Sequence, residues 1–182
     1  RGARSRQAQD PTFRRLTTRW SAAVQPSGIT HRHCMIPAAQ IESPEVRELA
    51  ETASSFVASQ RWCRKVTDVR LAWACAGVLG VFQVDLQPAR AEVDTTLWVV
   101  VGDLPPAYLV LDESPTWKDA LRGYVAEMNR WVHAVKHGLP LDDVIPVPVE
   151  PSDEHADMLA GRLAFIESEI IDAAGGEIES DT

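Results

Sequence analysis

The chain has 182 residues, 45% hydrophobic and 24% charged, with a formal net charge of −8. That length suits one domain with a real core, and the composition argues against disorder of the whole. No apolar run reaches the ~20 residues of a membrane span, because the longest, Leu71–Leu86, is broken by Gly77, Gly80, Gln83 and Asp85.

The net charge hides a split. Residues 1–34 hold seven arginines against one acid, Asp10, whereas residues 35–182 hold 25 acids against 11 bases, a balance of −14. Such a body disfavours nucleic-acid phosphates and anionic membranes and favours a basic protein partner or serves solubility alone. The arginine-rich stretch is readable as a transit peptide, as a basic arm for nucleic acid, or as sequence ahead of a natural start at Met35. The last is preferred, because Met35-Ile36-Pro37 opens directly onto the acidic pattern. It predicts that a chain beginning at Met35 is as stable as the whole. Three cysteines (Cys34, Cys63 and Cys75) form no close pair, so a disulfide framework is not expected and a reducing cytoplasm is the simplest setting. His31, His33 and Cys34 sit close together, but a structural zinc site needs a fourth fixed ligand.

Ser43-Pro44-Glu45 reads as a helix start, with a hydroxyl cap, proline at the first position and an acid in the first turn. Val46, Leu49, Ala50, Ala53, Phe56 and Val57 then carry one apolar stripe to about Trp62. Arg70–Ala76 and Val78–Leu86 read as strands, the second stopped by Pro88. Ala89–Asp94 is a polar connection. Thr95–Asp112 is the centre of the pattern: Leu97–Val101 and Ala107–Leu111 are apolar runs joined by the turn Gly102-Asp103-Leu104-Pro105-Pro106. Neither arm alternates, so both faces should be covered and the pair should lie mid-sheet. The adjacent prolines are expected in the turn rather than the ladder. Asp103 is expected to bond nearby backbone amides.

Ser114-Pro115 repeats the cap-plus-proline start. Trp117, Leu121, Tyr124, Met128, Trp131 and Val135 follow at spacings of 4, 3, 4, 3 and 4, an unbroken helical stripe. His133, Lys136 and His137, then Gly138 and Pro140, mark its end. The two histidines have the spacing of a metal face, but a favourable position at the negative helix end explains both. Leu139–Pro151 reads as an extended strap over the core. Ser152-Asp153-Glu154 opens a last helix with Met158, Leu159, Leu163, Phe165, Ile166, Ile170 and Ile171 on its apolar side. Gly175-Gly176 should end it, and Arg162 is placed to pair with an acid on a neighbouring element.

The expectation is one α+β domain over residues 35–176, followed by an acidic tail at 177–182. It has a mostly antiparallel sheet of three or four strands, one helix before it and two after. Trp98, Tyr108, Trp117, Tyr124, Trp131 and Phe165 should be buried. There is no phosphate loop, nucleophile elbow, paired CxxC or HExxH, and no cofactor motif. Asp85, Glu92, Asp94, Asp112, Glu113, Asp142 and Asp143 fall near strand ends and loops. They form a candidate acidic rim for a partner, with Gly102, Asp103 and Pro105 as structural turn residues.

LWVVVGDLPPAY, then SPTWKDALRGYVAEMNRWVHAV, then DVIPVPVEP before a last helix resembles a family of small uncharacterised bacterial proteins, a domain of unknown function. The resemblance runs from about Phe56 to Ile171. In that family the tryptophan strand, the Gly-Asp-Leu-Pro turn and the tryptophan-bearing helix recur, and it implies lineage rather than activity. Two functions stay open. One is a non-enzymatic, immunity- or adaptor-like module that binds a basic protein. The other is a small hydrolase or metal-dependent enzyme whose carboxylates converge.

Overall fold

A computed structural model describes residues 35–172, apart from the side chain of Glu113. Residues 1–34, with His31, His33 and Cys34, and residues 173–182, with the expected Gly175-Gly176 stop and acidic tail, lie outside the described residues.

Five strands form one antiparallel sheet in sequence order: β1 Ile36–Pro37, β2 Cys63–Cys75, β3 Leu79–Pro88, β4 Thr96–Gly102 and β5 Leu104–Val110. Three helices cover it: α1 Pro44–Ala58, α2 Trp117–Lys136 and α3 Asp153–Phe165, the last continuing as a π-helical segment over Ile166–Asp172. The antiparallel α+β class is as expected, with a larger sheet. α1 lies on one face against β2, β3 and β4, and α2 and α3 lie on the other. The alternation along β3 and β4 builds both cores. Phe82, Val84, Leu97 and Val99 point to α1, whereas Val81, Trp98 and Val100 point to α2.

β4 is therefore the buried centre. Leu97 to Val101 are each at most 2% exposed. Its partner β5 differs from expectation, being the edge of the sheet rather than its middle. The chain reverses around Asp103, with Gly102 opposite Leu104 and an irregular register between Val100 and Gly102. Pro105 and Pro106 consequently belong to the strand. Consecutive N–H groups of a strand point to opposite sides, so the free edge excuses one proline, and the irregular stretch between the Val100–Ala107 and Gly102–Leu104 pairs excuses the other. Gly102 has φ +154°, and a Cβ there would lie 2.8 Å from the Leu79 Cα and against the Val78 carbonyl. No other residue fits so close a backbone approach.

β2 is longer than its sequence suggests, starting at Cys63 instead of Arg70. Its register against β3 shifts three times, between Cys63 and Lys65, Val66 and Asp68, and Leu71 and Trp73. Each bulge resets the inside–outside alternation that would betray a strand. α1 stops at Ala58, short of the expected end near Trp62, and Trp62 packs edge-on to Tyr108 at 5.0 Å instead of closing a helix.

α1 and α3 start at their expected caps, where Ser43 and Ser152 accept from the amides of Val46 and His155. α2 does not start at Ser114. Thr116 caps it, accepting from the Asp119 amide at 3.2 Å. Ser114 is buried, and its carbonyl receives the Trp98 indole N–H at 2.7 Å. A buried indole requires such an acceptor, and this one holds the β5–α2 connection against the core. The α2 stripe is buried from Trp117 through Trp131, and Gly138, at φ +61°, ends the helix in the left-handed conformation. The strap behind it buries Val144 and rests Leu141, Ile145 and Val147 on the core.

Of the six aromatics expected inside, Trp98, Trp117, Tyr124 and Trp131 are buried and Tyr108 is half-buried between Phe56 and Trp62. Phe165 is not; it is 51% exposed, and Met158 is 53% exposed. The apolar side expected of α3 merged two stripes. Ala156, Leu159, Leu163, Ile166 and Ile170 repeat at helical spacing and face α2 and the core. Met158 and Phe165 each precede a member of that row by one residue, about 100° round the helix, and so face outward.

Candidate functional site

The seven acids proposed as one rim fall into separate places. Asp85 opposes Thr96 across β3–β4, and Leu97 opposes Val110 across β4–β5. Asp85, the β3–β4 connection with Glu92 and Asp94, and Asp112 just past β5 therefore share one end of the sheet. Glu92 and Asp112 are exposed and Asp94 is half-buried. Glu113 continues the turn of Leu111–Glu113, and its side chain lies outside the described set. Asp142 and Asp143 are exposed on the strap, where Arg130 donates to the Asp143 carbonyl at 3.0 Å. Arg130 stands about 20 Å along α2 from Thr116 at 1.5 Å per residue, so these two acids form a second, distant group.

Asp85 is not a free rim charge. It lies directly across from Asp68, a like-charge pair that would repel on a shared face. Arg70 sits between them, 2.6 Å from Asp85 Oδ2 and 3.4 Å from Asp68 Oδ2. The Thr96 hydroxyl donates to the other Asp85 oxygen at 2.8 Å. The network joins β2, β3 and β4, and it was illegible in the sequence because the bulges set its register.

The turn residues act structurally, though Asp103 does so differently from expectation. Its own amide donates to the Val78 carbonyl at 2.9 Å. Its carboxylate, 69% exposed, pairs with Arg162 of α3 at 2.9 Å, and Arg162 also donates to the Asp103 carbonyl at 2.9 Å. Arg162 thus finds the acid on a neighbouring element that its position suggested. Beside it, the Tyr124 hydroxyl donates to the Pro105 carbonyl at 2.8 Å. Burial pushes the Tyr124 phenol well above its ordinary range.

An open cleft of about 430 Å³ lies between the second half of α2 and the strap, lined among others by Asn129, Arg130, His133, Leu139 and Val144. The Arg130 guanidinium is already committed to both oxygens of Glu127, at 3.1 and 2.8 Å. Glu127 is the one buried carboxylate among the described residues, at 2% exposure. His133 stacks on His137, ring centroids 4.1 Å apart, while His137 Nδ1 donates to the His133 carbonyl at 2.9 Å. Among the residues lining the cleft, no base is paired with a nucleophile. Away from it, Ser152 Oγ lies 3.0 Å from His155 Nδ1, but that nitrogen also faces the Glu150 carbonyl at 2.8 Å and so carries the proton, which leaves it no capacity to act as a base toward the hydroxyl. Burial raises the Cys63 thiol above its ordinary value, with a smaller opposing effect from the Lys65 backbone, which is the reverse of an activated cysteine. Among the described residues, no three His, Cys, Asp or Glu side chains converge to hold a metal ion, and no helix is long and apolar enough to cross a membrane.

No protein-family model, curated protein or solved structure matches the chain. Sequence reasoning missed the outward pair Met158 and Phe165. Their spacing of seven residues was the available signal, since it repeats on one helical face offset from the buried row.

Proposed function

We propose that this chain is a non-enzymatic interaction module whose acidic body binds a basic protein partner. The observation that carries the reading is the excess of acid over base on the folded body. Residues 35–172 hold 22 acidic against 11 basic side chains, and several of those bases are spent internally. Arg70, Arg122, Arg130, Lys136 and Arg162 each pair with an acid of the same chain. Exposed acids such as Glu45, Glu48 and Glu51 of α1 and Glu154, Glu167 and Glu169 of α3 and its extension are left to set the outward field. A field of one sign steers an oppositely charged partner and speeds its encounter. Stopped-flow association of a fluorescent oligolysine peptide with the full chain tests the reading. The rate constant should fall at least tenfold between about 20 and 200 mM salt, where the screening length shortens from roughly 20 to 7 Å. A rate indifferent to salt overturns it.

A further inference from the structure

Met158 and Phe165 are large apolar side chains, each more than half exposed, on one helix. Seven residues apart, they stand about 10 Å apart along the axis and within about 20° of each other around it. Gly161 lies between them, and a Cβ at that position would meet nothing within 4 Å. Two apolar knobs therefore flank an open notch, the relief that receives a side chain from a crossing helix. Glu154 is one turn before Met158 and Glu169 one turn after Phe165, and both are exposed. The base on this stretch, Arg162, has its charge paired by the Asp103 carboxylate.

The acids decide between occupants. In a second copy packed antiparallel, the register that sets Met158 on Phe165 also sets Glu154 on Glu169. A parallel copy in register sets each glutamate on itself. Both arrangements oppose like charges at both ends of a small apolar contact, which disfavours self-association. A helix with an apolar centre and lysine or arginine at both ends, about 22 Å apart, meets both requirements. We infer that the outward stripe of α3, with Met158 and Phe165 around the Gly161 notch and Glu154 and Glu169 at its ends, docks a basic amphipathic helix of a partner protein. This rests on the acidic-module reading and gives it a surface and a partner shape.

The test uses the full chain and two labelled 18-residue peptides of the same leucine and lysine composition. One has leucines at helical spacing, and the other is scrambled to remove the apolar face. Fluorescence anisotropy should show the amphipathic peptide binding at least tenfold more tightly. Met158→Ser with Phe165→Ser should abolish that preference while lowering the melting temperature by no more than a few degrees, since each side chain is more than half exposed. Gly161→Leu should also weaken the amphipathic peptide at least tenfold without lowering the melting temperature, because it fills the notch while improving helix propensity. Equal binding of the two peptides, or a preference that survives in these variants, overturns the docking surface. If both peptides still bind in a salt-dependent way, the acidic-module reading stands without it. Failure of both peptides to bind at low salt overturns both readings. A wild-type dimer in sedimentation that Phe165→Ser dissolves also overturns the inference, by giving the stripe to a second copy.

Discussion

Arg130→Ala isolates the one buried carboxylate on α2. Glu127 has a side chain only 3% exposed and depends on the Arg130 guanidinium for two of its hydrogen bonds, while the same guanidinium ties α2 to the strap at Asp143. Stranding a buried charge costs about 3–5 kcal/mol. Arg130 itself is 54% exposed, so water reaches the pair and the loss should be nearer 1–3 kcal/mol. Glu127→Gln removes the charge but keeps a polar group under the guanidinium, and should cost about 1 kcal/mol or less. Combining it with Arg130→Ala should recover part of the single-variant loss, because the stranded charge is gone. Urea unfolding followed by tryptophan fluorescence would give all three values at pH 7. An Arg130→Ala protein within about 0.5 kcal/mol of wild type, or one less affected than Glu127→Gln, would refute this account of the strap.

Three further outcomes follow from the same geometry. Gly102→Ala forces a Cβ against the Val78 carbonyl and the Leu79 Cα, and thermal unfolding should show a loss of about 2–4 kcal/mol; a neutral result would mean the hairpin end shifts freely. Tyr124 has a raised folded-state pKa, so its stabilising contribution is whole below the unfolded value of about 10 and is lost as the pH rises beyond it. Tyr124→Phe should cost about 1 kcal/mol at pH 7 through the Pro105 carbonyl and lose less than wild type between pH 9 and 11, measured by urea midpoints. Arg70→Gln leaves Asp68 and Asp85 facing each other and should cost about 1–2 kcal/mol, with Asp85→Asn restoring part of it in a double-mutant cycle.

Legibility in the sequence followed how many physical signals agreed at each place. α2 was plain because its stripe, its acidic first turn and its Gly138 stop all indicate one helix; only its first residue moved, since Ser114 serves the Trp98 indole instead of capping. β4 was plain because every residue from Leu97 to Val101 is apolar and buried. β2 was half hidden, because its bulges break the alternation. The edge position of β5 depends on what pairs with what, and no local pattern encodes that. The same holds for the acids. Their residue types were visible, but Asp85 is claimed by an arginine fifteen positions away, and Asp142 and Asp143 sit on a strap far from the other acids. On α3, counting apolar residues without separating helical rows placed Phe165 inside.

The central claim is that this protein works through a surface rather than a cavity. Amide hydrogen exchange of the full chain, with and without the basic amphipathic peptide, tests it most directly. The account predicts added protection across residues 154–169, while the amides of the buried strand β4 and those around Asn129 and His133 in the α2–strap cleft stay unchanged. Protection gathered in that cleft, with α3 unaffected, would contradict it.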